Sequence, residues 1–391
     1  LFSCSDFLDR DPKGVMDQDR FFLSPDAGYS AVVKCYKTLN DVAGYEAPRM
    51  DLYNISTDDS EKGGSDAGDR TFAGDLSFGR ALASNTDLVN LWSNMYNGIA
   101  RYPLSNDVKA RYIGEVKFLR AFFYFELCKI FGGVPLVDRT LTVDDSKKLV
   151  RATEAETADF IMKDLSEAAL ESNIPDKATL PTTELGRVTK EAVWAMQARV
   201  YMYFAKDNPS YYADARDAAK KVIDSKSCEL APNFQSLYLS DNYMLSESIF
   251  PNIRGDVPND HIYGSFITVY SNPRSCGAYG FDQPTQNLVD EFEEGDPRLL
   301  YTIIEPGDKF PKEKGSETLD FSTYPNTGYH SRKAFLVVSR RGNGWGDDAW
   351  TFHIIRYADV LLLYAEALVQ TNGDKDEIVK YINMVRDRAN D

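Results

Sequence analysis

Apolar positions recur along this chain at three- and four-residue intervals, in long blocks separated by turn-forming residues. That spacing predicts a helix from about Ser24 to Leu39, with Ser24 as N-cap and Pro25 in the first helical position. Residues 54–84 break the pattern and read as a long polar loop. A second helix is predicted from about Thr86 to Arg101, with Trp92 and Tyr96 on one face. A third, from about Asp107 to Phe131, places Phe118, Ala121, Phe122 and Phe125 in one buried stripe, and Gly132-Gly133 with Pro135 ends it. A fourth, from about Glu154 to Glu171, turns Ile161, Leu165 and Ala168 inward.

Two further helix pairs follow. Trp194, Ala198, Tyr201 and Ala205 form one stripe, and Ala215, Ala218, Ala219 and Val222 its mate after Asn208-Pro209-Ser210. Val360, Leu363, Tyr364 and Ala367 are answered after Asn372-Gly373 by Ile378, Tyr381, Ile382 and Val385. Small alanines where two helices touch, with larger rings at the flanks, suggest tetratricopeptide-like pairs over 107–171, 190–225 and 354–389. Residues 226–353, rich in Gly, Pro, Asn and Tyr, carry little periodicity. The predicted architecture is therefore mainly α: a scaffold of helix pairs with long irregular loops and a few short strands.

Composition narrows the function classes. Hydrophobic residues are 43% and charged residues 27%, a globular balance. Lys plus Arg number 44 against 60 Asp plus Glu, a net charge of −16. Such a chain repels phosphate backbones and bare anionic lipid, so no nucleic-acid partner is expected. No run of eighteen apolar residues is present to span a bilayer as a helix. The cysteines are Cys4, Cys35, Cys128, Cys228 and Cys276, with no C-x-x-C pair and no zinc spacing. Cys35 and Cys128 fall within helical patterns and read as small buried hydrophobes.

Cys4 differs. Leu1-Phe2-Ser3-Cys4 fits a bacterial lipobox, with Leu three residues before the cysteine. On this reading Cys4 is lipidated, and residues 1–12 are a lipobox remnant and polar tether. Each buried CH₂ contributes ~0.8 kcal/mol, so several acyl chains hold a soluble body durably. Membrane attachment is then expected through the lipid alone.

Four motifs carry a family resemblance. The first is Glu115 through Leu136, containing Arg120-Ala121, Tyr124-Phe125 and Phe131-Gly132-Gly133-Val134-Pro135-Leu136. The second is Pro284-Thr285 with Leu288-Val289-Asp290, Phe292-Glu293 and Asp296-Pro297-Arg298. The third is Arg356-Tyr357-Ala358-Asp359 through Ala365-Glu366-Ala367, and the fourth Ile382-Asn383 with Val385-Arg386 and Arg388-Ala389. In this order they resemble the SusD/RagB family of outer-membrane nutrient-binding lipoproteins. The resemblance implies a helical N-terminal region (13–225) and a C-terminal region (226–391) whose insertion, 226–353, holds ligand ahead of a last helix pair. Family members continue past that pair, so the chain reads as truncated at its C-terminus. It also implies a partner, a SusC-like TonB-dependent transporter, and a glycan ligand captured at the cell surface.

The motif charges themselves read as scaffold. Arg120, Arg356, Asp359 and Glu366 sit on otherwise apolar helices, where charges must be paired. Asp359 and Glu366 share a face and could meet arginines of neighbouring helices.

A sugar presents a flat C–H face and a hydroxyl rim, which suits exposed rings beside polar side chains on loops. The loop 54–84 offers Phe72, Phe78 and Arg80, with Asp58, Asp59 and Asp75. The insertion offers Tyr263, Tyr270, Tyr279 and Phe281, with His261 and Asn272. Between glycines, Trp345 is the better exposed-ring candidate, whereas Trp350 reads as core. The acidic run Asp58 to Asp69 lacks the ordered spacing of an EF-hand and reads as a solvated loop. No H-E-x-x-H, G-x-S-x-G or phosphate-binding glycine loop occurs, and no cofactor or metal is expected. Three rivals stand beside glycan capture: a protein-interaction scaffold, capture of a peptide or glycoprotein nutrient, and a glycosidase built on paired carboxylates.

Overall fold

The computed structural model describes residues 25–100, 110–170, 174–238, 246–255, 264–312, 315–318, 326–335 and 348–390. The helices of seven residues or more are α1 (Pro25–Lys37), α2 (Thr71–Ser77), α3 (Thr86–Ala100), α4 (Ala110–Phe131), α5 (Glu154–Leu170), α6 (Lys190–Phe204), α7 (Tyr211–Ser225), α8 (Tyr357–Gln370) and α9 (Lys375–Asn390). The strands are β1 (Ser60–Lys62), β2 (Ser248–Asn252), β3 (Asp282–Pro284), β4 (Ile303–Ile304), β5 (Lys309–Lys312), β6 (Gly315–Thr318), β7 (His330–Ser331) and β8 (Phe352–Arg356). They form four antiparallel pairs: β1–β3, β2–β8, β4–β7 and β5–β6. The periodic segments are helical within a few residues of their predicted bounds. No described helix is long and apolar enough to cross a membrane. Cys4 and the tether lie outside the described residues.

Successive helices pack in a stack, α4 on α5, α5 on α6, α6 on α7, α7 on α8 and α8 on α9. The third hairpin thus docks directly on the second, although the insertion separates them in sequence. The alanine face of α7 (Ala215, Ala218, Ala219) is buried, as are Ala195 and Ala198 of α6, so these backbones approach closely. Helix α4 exceeds its predicted single stripe: Phe123 and Tyr124 are buried as fully as Phe118 and Phe122. It is enclosed because α1, α3, α5 and α6 all pack against it.

An enclosed helix must neutralise its charges. Arg120 donates to both oxygens of Asp164 on α5, at 2.6 and 2.7 Å. Glu115 accepts from Arg187 at 2.6 Å, from Arg111 at 2.9 Å and from the Tyr36 hydroxyl at 2.7 Å, which ties α1 to the lead-in of α6. Asp359 at the start of α8 meets Arg199 of α6 at 2.6 Å. Glu366 departs from expectation and is exposed: the face it shares with Asp359 is covered at the first turn of α8 and open two turns later.

The stretch 54–84 also differs from the loop predicted for it. A helix of mixed pitch precedes and enters it, with π turns at Val42–Glu46 and Asp51–Ile55 around Ala47–Met50. Strand β1 and helix α2 then follow within it. Local pattern hid β1 because its partner, β3, lies more than two hundred residues away.

The base of the insertion is closed by Glu247, whose side chain is fully buried. It accepts from Arg356 at 2.7 Å, from the Ala231 amide at 2.6 Å and from Arg388 of α9, and its carbonyl accepts from the Tyr357 amide at 2.8 Å. One carboxylate thus joins both ends of the insertion to the last hairpin. Removing one partner of a buried pair strands the others, at a cost of roughly 3–5 kcal/mol. Glu247→Ala should lower the unfolding free energy by that amount in urea titrations followed by circular dichroism, with Glu247→Gln intermediate.

Candidate functional site

The two regions singled out for ligand are brought together by the β1–β3 pair, in which Ser60, Glu61 and Lys62 face Pro284, Gln283 and Asp282. Beyond the strand, the Gly63 amide donates to the Phe281 carbonyl at 2.7 Å and the Gly64 amide to the Gly280 carbonyl at 3.1 Å. This approach requires glycine. A Cβ on Gly63 would lie 1.9 Å from the Gly280 carbonyl oxygen, and Gly64 has φ +99°.

Arg70 stands at the centre of the junction. Its own backbone is left-handed, with φ +51°, and it precedes α2. Its guanidinium donates twice to one oxygen of Asp51, at 2.8 and 2.6 Å, and to Asp87 at 3.1 Å. The Tyr270 hydroxyl donates to the other oxygen of Asp51. Three rings surround the cation: Phe72 at 4.6 Å, Tyr270 at 5.0 Å and Phe281 at 5.8 Å from ring centroid to guanidinium carbon. Tyr279 continues the cluster, 5.1 Å from Phe281 with planes 31° apart, and Phe266 lies 5.7 Å beyond.

Four of the predicted side chains therefore converge, but not on one surface. Tyr270 and Phe281 are core: burial of Asp51 and Arg70 draws their rings inward, so they support the site from beneath. Phe72 and Tyr279 are half-buried at the edge. Phe78, just past α2, is 72% exposed. Arg80 lies 4.9 Å over the Phe78 ring and 3.6 Å from Asp75. Asp58 and Asp59 are exposed, whereas Asn272 is buried. Trp350 is core, as its sequence context predicted. Tyr263, His261 and Trp345 lie outside the described residues.

Sequence reasoning missed Arg70, Asp51 and Asp87. The one available signal was a lone arginine closing an acidic run just before an aromatic residue. It also missed Arg274, which reaches Asp69 at 3.6 Å and donates to the Tyr279 carbonyl at 3.3 Å, adding a polar edge. The arrangement offers ring faces bordered by paired Arg and Asp side chains. Such a surface can cover an apolar C–H face and bond a hydroxyl rim.

Asp87 is shifted strongly. Burial, then its hydrogen bond with Asp51 and that group's charge, push its pKa up to about 8, against the pull of Arg70. The folded state therefore binds a proton that the unfolded state, with a carboxyl pKa near 3.9, releases. Stability from this site is full below about pH 4 and declines as pH rises towards about 8. Asp87→Asn, which imitates the protonated form, should flatten that decline in urea titrations run across the same range.

Known proteins share this fold and these motifs. A family model described as "SusD family" matches residues 246–391, and one described as "Starch-binding associating with outer membrane" matches residues 79–202. The chain is 26% identical over 426 residues to SusD-like protein P38 of Formosa agariphila, covering 99% of this chain and 79% of that protein. Among solved structures, a laminarin binding SusD-like protein superposes with a TM-score of 0.80 at 23% identity, over 93% of this chain and 84% of that one. Surface glycan-binding protein A from Bacteroides thetaiotaomicron, in complex with laminarihexaose, gives 0.77 at 22% identity, over 93% and 82%. Matched by both family models in chain order and mainly helical in the same way, the chain belongs to the SusD/RagB family.

Proposed function

We propose that this protein captures an oligo- or polysaccharide at the outer membrane and passes it to a SusC-like TonB-dependent transporter, without cleaving it. The observation that carries the binding reading is the junction at Arg70, where rings from two distant segments meet on a rigid helical scaffold with charged pairs at their edge. Phe72 and Tyr279 are the proposed rings at the junction, with Arg274 beside them, and Phe78 with Arg80 is the proposed exposed ring just past α2. Tyr270 and Phe281 hold the junction rings in place. Tyr263 and Trp345, from the same insertion, are the further rings proposed to meet ligand. Family membership supports glycan as ligand, and the laminarihexaose held by a structural neighbour makes laminarin the first probe.

Retention on laminarin-containing native gels checks this. Phe78→Ala, with its unfolding midpoint unchanged, and Tyr279→Ala, with its midpoint lowered by lost ring packing but the fold retained, should each weaken retention at least about fivefold, on the order of 1 kcal/mol. Loss of retention by neither variant would refute the choice of surface. New reducing ends after incubation with laminarin would refute the binding-only role and favour the glycosidase.

The anchor is proposed to be a lipid on Cys4. In cells expressing the full precursor, radiolabelled palmitate should enter the protein, and Cys4→Ser should abolish labelling and release the protein from the membrane fraction.

A further inference from the structure

A cleft of about 300 Å³ lies on the far side of the layer formed by Tyr270 and Phe281. Ser271 and Asp282 line it, while their chain neighbours Tyr270 and Phe281 pack on Arg70. It is thus separate from the ring surface described above, and it has the size of a small-ligand site.

Its wall carries two buried polar groups without a hydrogen-bond partner, the indole N–H of Trp350 and the hydroxyl of Ser271. These residues are only 6% and 1% exposed. A buried donor left unmade costs roughly 1–3 kcal/mol, so native chains seldom keep one that nothing completes. Two cations line the same cleft. Arg49 lies 3.6 Å from the Phe352 ring centroid and Lys333 lies 5.6 Å from that of Tyr238. Among the described residues, neither is ion-paired with a carboxylate. The third cation on the wall, Arg356, is already bound by Glu247.

The acceptors are mostly spent. Asp282 accepts from the Ser60 hydroxyl at 2.5 Å and from the Asn54 amide at 3.2 Å. His353 uses Nδ1 on the Ser248 hydroxyl at 2.8 Å and Nε2 on the Leu237 carbonyl at 3.2 Å. Burial, chiefly, lowers its pKa to about 4, so it is neutral at pH 7. In a chain of net charge −16, this cleft thus brings two cations and two unsatisfied donors together, with Lys333 facing the buried Asp282.

We propose that this cleft binds an acidic sugar residue, with its carboxylate or sulfate group against Arg49 and Lys333 and with Trp350 and Ser271 donating to its oxygens. A guanidinium fork suits either oxyanion, and the Met50 and Ile267 side chains supply apolar wall for a pyranose ring.

The test is calorimetric titration of the whole chain with D-glucuronic acid, D-glucose 6-sulfate and D-glucose, at low and high salt. At least one acidic sugar should bind about tenfold tighter than glucose, and the difference should shrink with salt. Binding of glucuronate alone assigns a carboxylate ligand, and of the sulfate alone a sulfate ester. Lys333→Met should remove most of the preference. Ser271→Ala should weaken acidic-sugar binding several-fold while leaving the unfolding midpoint unchanged or raised, because it deletes an unsatisfied hydroxyl. Equal binding of acidic and neutral sugars, or a preference that survives both variants, overturns the inference. Laminarin retention read on the same wild-type protein separates this failure from failure of the ring-surface reading.

Discussion

The structure turns on a single buried carboxylate. Glu247 is shielded completely, and three donors from three parts of the chain satisfy it: Arg356 at the entry to α8, Arg388 near the end of α9, and the Ala231 amide. A charge removed from water at this depth is tolerable only with such saturation. The consequence is topological. The insertion can leave the stack after α7 and return before α8 because both of its ends are fastened to one group. The β2–β8 pair, which runs from Ser248 beside that group, extends the fastening into the body of the insertion.

Arg70 repeats the principle at the edge of the fold. Its positive charge answers Asp51, Asp87 accepts a further hydrogen bond from it, and its flat guanidinium gives Phe72, Tyr270 and Phe281 a common surface to pack on. Because Asp51 is held by Tyr270 as well as by Arg70, the helical segment before β1 and the short helix Ile267–Ser271 are locked together. The rings at the surface are thus carried by a rigid underlayer, as a binding surface made of loops requires. The same underlayer divides that surface from the cleft lined by Ser271 and Asp282 behind it.

The helical scaffold was legible in the sequence because its signals are local. The stripes of α4, α6, α7 and α8, the alanines of α7 and the stop at Gly132 all follow from spacing within a few turns. Buried ion pairing of Arg120 was legible for the same reason, since its charge interrupts an apolar face, whereas Arg356 makes its pair from the end of β8 and stays partly exposed. Glu366 shows where that reasoning ends. A helical wheel gives the face a residue occupies but not how far along the helix a neighbour extends.

The sequence by itself determined the family, the helix pairs and the need to neutralise charges on apolar helices. It also gave two candidate segments for ligand. Only the tertiary structure decided that these segments meet, through a β1–β3 pair whose register depends on the Gly63–Gly280 approach. It also decided that Tyr270 and Phe281 turn inward while Phe78 turns out. The physical reason is range. Helix periodicity is written in neighbours three and four residues apart, whereas strand pairing, burial of a ring and pairing of Arg70 with Asp51 depend on what distant segments place opposite them.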